Sequence, residues 1–265
     1  MRLAWAAVAA ALGITAIFAQ RGFREYPYEE VNPAAVPADA NEKTEWAFGR
    51  LRYPSGGSGG RYRRRNSWST DFPKADRQFV KGVSRLTRLH VRSSEQVVDL
   101  ELDDDEIYYW PWMYAVEVGH WNLTDKQCGK MREYLLRGGF LMTDDFHGSE
   151  EWAVFLATMN RIFPDRPIVE IETTDAIFHV LYDLDEKIQV MGTVTFGSGR
   201  TFERDGVVPH WRGIYDDRGR VMVAMCFNQD NGDAWEWADH PQYPEKVASQ
   251  AYRMGINYIV YAMTH

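Results

Sequence analysis

The chain has 265 residues, with 45% hydrophobic, 14% aromatic and 26% charged residues and a formal net charge of −8. That much apolar and aromatic content excludes a disordered chain, and the acidic balance argues against general nucleic-acid binding, which needs cations for the phosphates. The 10 Trp, 14 Tyr and 13 Phe pose a question, because aromatic rings fill cores and also line binding sites.

Met1-Arg2, an uncharged run over residues 3–19 and then Gln20-Arg21 match a secretory signal. Residues 1–19 are expected to be a signal peptide ending at Ala19, which makes the protein periplasmic or secreted. The alternative is a membrane-anchored chain that retains this segment, although the run is Ala-rich and short for a span of about 20 residues. No stable membrane span is expected after cleavage. Residues 20–45, with Pro27, Pro33 and Pro37, read as a linker, and residues 46–265 as a single α/β domain. Export permits a disulfide, but Cys128 falls on an apolar helical stripe and Cys226 in an apolar strand, so buried free thiols are expected.

A first strand is predicted over residues 46–53, ended by Pro54 and followed by a Gly/Ser loop and the basic run Arg61, Arg63, Arg64 and Arg65. Asp71-Phe72-Pro73 opens a helix with Phe79, Val83 and Leu86 on one face. Residues 96–102 look extended, and Asp103-Asp104-Asp105-Glu106 is a charged turn. Residues 107–110 read as a strand interrupted by Pro111, with apolar character resuming over 114–118. Thr124 and Gln127 have capping-box spacing. The helix they open buries Cys128, Met131 and Leu135 and stops at Gly138-Gly139. Residues 140–143 form a short, continuously apolar strand of the kind buried in parallel sheets. A second helix follows, with Trp152, Phe155, Leu156 and Met159 on one face. Residues 167–227 are expected to be mostly strand with loops. Residues 243–263 form a long helix with Ala248, Tyr252, Ile256, Ile259 and Met263 inward. The alternation over residues 107–162 argues for a parallel sheet covered on both faces.

In such a sheet, ligands bind beyond the carboxyl ends of the strands. Asp144-Asp145-Phe146-His147 is the best-defined strand end, and Asp145 or His147 is the candidate acid or base. Asp144 is a ligand-binding candidate that could equally cap the following helix, whose free N–H groups could meet an anion. His120 and Trp121 close the preceding strand and are expected beside this turn. Asp230 and Trp235 come from an oxygen-rich loop read first as a turn, and Trp110 completes the ligand-binding set. His179, on an apolar run, is expected to be a satisfied core residue. No C-x-x-C or His-rich spacing suggests zinc, so no metal or cofactor is assigned, with Asp144, Asp145 and residues 230–233 kept as a weaker divalent-metal candidate.

Four stretches together resemble a known family: Phe48-Gly49-Arg50-Leu51-Arg52-Tyr53, Trp110-Pro111-Trp112-Met113-Tyr114, the run from Gly138-Gly139 through Asp144-Asp145-Phe146, and Gly255-Ile256-Asn257-Tyr258 with the six residues after it. Over residues 46–264 the chain resembles the bacterial domain-of-unknown-function family 4159, related to class I glutamine amidotransferase-like and ThuA-like proteins. The resemblance implies a flavodoxin-like three-layer sandwich with a mostly parallel sheet and carries no established activity. The amidotransferase elbow holds a Cys, whereas here it reads Asp144-Asp145-Phe146-His147, so glutaminase chemistry is not expected. The expected role is a non-catalytic module binding a carbohydrate, a peptide or an envelope protein. The alternative is a hydrolase acting on a carbohydrate or envelope substrate through Asp145 and His147.

Overall fold

Phe140–Asp144 is buried on both faces, because it lies between two helical layers rather than against water. It is the fourth strand, β4, of a seven-stranded sheet in a computed structural model that describes residues 36–56, 67–100 and 105–265. The other strands are β1 (Gly49–Arg52), β2 (Gln96–Asp99), β3 (Trp112–Val116), β5 (Val169–Glu170), β6 (His210–Tyr215) and β7 (Val221–Phe227). The order is β2-β1-β3-β4-β7-β6-β5. The first five in that order are parallel, while β6 and β5 add an antiparallel edge.

Among the described residues, five helices cover the sheet: α1 (Lys74–Leu86), α2 (Asp125–Leu136), α3 (Gly148–Ile162), α4 (Asn231–Glu236) and α5 (Glu245–Thr264). Strand side chains alternate between the two faces. Trp112, Tyr114 and Val116 pack with Phe79 of α1, Trp235 of α4 and Ile259 of α5. Met113 and Ala115 pack with Met131 of α2 and Phe155 of α3. The result is a three-layer α/β sandwich, as the alternation over residues 107–162 predicts. The capping box at Thr124 forms, with Gln127 N donating to the Thr124 hydroxyl and Thr124 N donating to Gln127 Oε1.

Several expectations need correction. Residues 106–109 form a 3-10 turn, and Pro111 precedes β3 rather than interrupting it. Most of residues 171–209 is turn and 3-10 structure, because its short apolar runs find no partner strand; Val194, Val207 and Val208 are exposed. Leu86 and Met263 also face outward. His179 is satisfied but not in the core: Nδ1 meets Asp183 and Nε2 meets the Thr173 carbonyl at the surface. Cys128 and Cys226 are free and buried, as expected. The signal segment, most of the linker, the Gly/Ser loop from residue 57 and the arginine run lie outside the described residues. Among the described residues, no helix is long and apolar enough to cross a membrane.

A buried ion pair fixes the chain that leads into α1. Arg50 of β1 is wholly buried and grips Asp76 of α1 through Nε and Nη2. Its Nη1 also donates to the carbonyls of Trp68 and Thr70. This ties residues 68–76 to the sheet and sets Asp71 against the start of α4, where its Oδ2 faces Gly232.

Candidate functional site

The parallel strands β3, β4 and β7 all finish at one edge, and the next residues are Glu117, Asp145 and Asn228. Each has a positive φ, of 53°, 52° and 61° respectively. Asp71 and Arg204, at the same edge, have φ of 60° and 49°. Non-glycine residues adopt this region at a cost, and such residues gather at functional sites. Here the turned backbone is held by hydrogen bonds between neighbouring strand ends. Asp145 N donates to the Gln229 carbonyl, Asn228 N to that of Phe146, and Glu117 N to that of Asp144.

The two adjacent aspartates part company. Asp144 is fully buried and accepts from Tyr114 Oη at 2.8 Å, Asn231 N at 2.8 Å, Asn231 Nδ2 at 2.7 Å and Gly232 N at 3.0 Å. It therefore ties β4 to β3 and to the start of α4, not to the helix that follows it in sequence. Asp145 turns the other way and meets His147 Nε2 at 3.0 Å. The first N–H groups of α3 are already taken: His147 N donates to Glu151 Oε2, Gly148 N to Asn228 Oδ1 and Ser149 N to Asp205 Oδ1. No anion is needed there.

Asp145 lies in an acidic basin. Three groups of side chains bring potential ligand atoms within 4.8 Å of one another: Glu117, His120 and Glu151; Asp145, His147 and Glu203; and Asp71, Asp230 and Asp233. In the first, His120 Nε2 lies 3.3 Å from Glu117 and 3.1 Å from Glu151, and Arg204 also pairs with Glu151. Gly119 permits this, since a Cβ there would stand 2.5 Å from that of Glu151. In the third, Asp233 Oδ2 accepts from the backbone and hydroxyl of Thr193, and Asp230 Oδ1 accepts from Asp233 N. Asp71 shares a hydrogen bond with Glu236, which Lys74 approaches, while its Oδ2 is buried without a partner.

Burial and crowded carboxylates set the charges. Burial, followed by Glu117, Asp71 and Glu203, pushes the Asp145 carboxyl well above the usual range. Burial and neighbouring Asp145, Asp233 and Asp71 do the same to Asp230. Glu203 is pushed up to about 7, by burial and then by Glu117, Asp233 and Glu151. Burial drives His147 down to about 4, so its imidazole is neutral. For Glu151 burial acts upward, but hydrogen bonds from His120 and His147 N outweigh it and hold the carboxyl below its ordinary value.

His120 goes the other way, up to about 10, through its hydrogen bonds to Glu117 and Glu151. Folding thus strengthens proton binding at a group that titrates near pH 6.5 in the unfolded chain. The stability this supplies is complete below about pH 6.5 and is lost as the pH rises toward 10. Thermal unfolding of His120→Gln should accordingly fall less between about pH 7 and pH 10 than that of the wild type. Parallel falls would contradict the assignment.

Of the sequence candidates, Asp145, His147, His120 and Asp230 come together at this edge. The tryptophans do not join them. Trp121 is 2% exposed and stacks on Phe155, while Trp235 is fully buried and stacks on Phe79. Trp110 precedes β3 at the opposite edge, beside a cavity of about 470 Å3 that Trp46 and Tyr134 also line. A turn position does not mean exposure here, because helices sandwich the strand ends as well as their middles. Glu203, Glu151, Glu117 and Asp71 join the site without having been expected there, and Asp233 joins it from the loop kept as the weaker metal candidate. Nothing in the sequence marks residues 203 or 71 as neighbours of the β4 end; only the folded path of the loops brings them there.

Fold and site together define an α/β sandwich protein with an acidic, histidine-bearing basin at the carboxyl edge of its parallel strands. The chain belongs to the DUF4159 family, a domain of unknown function, whose family model matches residues 48–263. No curated protein matches the chain.

Proposed function

We propose that this chain is an exported enzyme of hydrolytic class, whose basin performs acid–base chemistry on a hydroxyl-rich substrate of the cell envelope, such as a carbohydrate. The observation that carries this reading is the convergence of Asp145, His147 and Glu203 at a strained strand end, with His120 reaching the same basin through Glu151. The non-catalytic reading drew on the absent elbow thiol, the Arg-rich loop and aromatic richness, and the burial of Trp110, Trp121 and Trp235 withdraws the last of these.

The site's charge favours the substrate class. Crowded carboxylates accept hydrogen bonds from hydroxyls and repel anions. Asp145 and His147 act as the proton-transferring pair. Glu203, with 23% of its side chain exposed, is the most accessible of the three.

The same edge supports a relationship to class I glutamine amidotransferase-like and ThuA-like folds. Numbered among themselves in chain order, the parallel strands run 2-1-3-4-5, the flavodoxin-like sequence. Asp145, with φ of 52°, occupies a tight strand-to-helix turn of the kind that presents a nucleophile in elbow enzymes. Its carboxylate replaces the thiol, so the chemistry is proton transfer rather than thioester formation. Export rests on the composition of residues 1–21.

The test is a turnover screen with glycosides, sugar acyl esters and amides. One class should be hydrolysed, and Asp145→Asn should lower kcat by about 100-fold or more with the fold intact. No turnover in any class, with a sugar or peptide ligand bound equally well by wild type and Asp145→Asn, would overturn the reading.

A further inference from the structure

We propose that Asp145, His147 and Glu203 form a binding site for a divalent transition-metal ion, Zn2+ or Mn2+. The inference deepens the proposed hydrolytic function: with an ion bound, Asp145 and His147 serve as its ligands in place of proton transfer, and only the ion's catalytic role rests on that reading.

Geometry comes first. His147 Nε2 lies 3.0 Å from Asp145 Oδ1 and 4.0 Å from Glu203 Oε1, and the three ligand atoms fall within 4.8 Å of one another. Ligands bound about 2.1 Å from one ion stand roughly 3 to 4 Å apart. The Asp145–His147 spacing already suits this. Glu203 closes the set by a small side-chain movement, and its partial exposure gives an ion a way in.

The imidazole is the second observation. His147 is 4% exposed and aims Nε2 at the two carboxylates. Its Nδ1 has no partner. The contact with Asp145 is therefore the hydrogen bond that holds this ring with Nε2 toward the carboxylates.

Charge is the third. The cations at this edge are committed elsewhere: Arg204 and His120 to Glu151, and Lys74 to Glu236. Glu203 Oε1 and Asp230 Oδ2 approach bare Gly192, within 2.5 and 2.6 Å of where a Cβ would lie, and Asp233 Oδ2 within 3.3 Å. Glu203 thus stands among further carboxylates beside the site, with Asp233 Oδ2 already held by the Thr193 N–H and hydroxyl and with Arg204 acting on Glu203 from its pairing with Glu151. Burying charges this way is costly unless a counter-charge arrives.

The donors choose the metal. Mg2+ and Ca2+ prefer oxygen alone, and a buried imidazole has no use in such a site. One imidazole with two carboxylates suits Zn2+ or Mn2+. The ion would turn a bound water into a nucleophile at neutral pH.

The experiment is calorimetric titration of chelator-treated full-length protein with ZnCl2, MnCl2 and MgCl2. Pulsed electron paramagnetic resonance of the Mn2+ sample accompanies it. We expect one ion per chain, with Mg2+ weaker by about 100-fold or more, and a nitrogen coupling from imidazole. His147→Gln should abolish that coupling. Glu203→Gln, on a partly exposed side chain that leaves the fold intact, should weaken binding by about tenfold or more. No Zn2+ or Mn2+ binding by folded protein at millimolar ion overturns the site, as does binding that neither variant weakens. Ion binding without turnover would sustain this site and sink the hydrolase. Turnover unaffected by chelator, with no ion bound, would do the reverse.

Discussion

Asp144→Ala should destabilise the protein by about 3–5 kcal/mol. The carboxylate is fully buried and satisfies four donors from two chain segments, β3 and the start of α4. Removing it strands the Tyr114 hydroxyl, the Asn231 amide and two backbone N–H groups, and each unpaired group costs about 1–3 kcal/mol. A small cavity adds to the loss. Asn at this position keeps the shape but presents donors to donors, so Asp144→Asn should recover little. Urea unfolding measures the effect as a lower midpoint with an unchanged slope. A loss below about 1 kcal/mol would mean that Asp144 does not tie β3, β4 and α4 together.

The neighbouring Asp145→Asn should do the opposite and raise stability by about 1 kcal/mol near neutral pH in the presence of chelator. Asn tolerates the positive φ that Asp145 adopts, so the backbone need not move. The substitution removes a carboxylate whose proton affinity is raised by burial and by Glu117, Asp71 and Glu203. A carboxyl with a raised folded-state value penalises the folded state once it must ionise. The penalty is absent below about pH 4, where both states hold the proton, and grows as the pH rises above the unfolded value. The advantage of Asn should therefore be negligible near pH 4 and reach its full size at neutral pH or above. A variant less stable than wild type at every pH would show Asp145 to be a structural residue like its neighbour.

The sheet is readable in the sequence because its local signals agree. The capping box at Thr124, the two glycines after α2 and the apolar start of β4 each name one conformation, and the fold uses all three. The segment from 171 to 209 misleads because apolar pairs such as Val207-Val208 satisfy a strand pattern without a neighbour to join. Within the site, the β4 turn is visible as chemistry: two carboxylates and a histidine after an apolar strand. What that pattern leaves open is which aspartate serves structure, because that depends on where α4 lies. Glu203 is unreadable for the same reason, since it arrives from a loop with no periodicity of its own. The tryptophans mislead in a consistent way. They cluster at strand ends, but there they cover the ends of the core, as Trp121 does on Phe155 and Trp235 on Phe79.

On the proposed reading, Asp145 serves chemistry at a cost to the fold. Unfolding free energy and turnover of Asp145→Asn, measured on one preparation against wild type, test this directly. Greater stability near neutral pH together with turnover lowered by about 100-fold or more is the predicted result. Lower stability with turnover unchanged would contradict it.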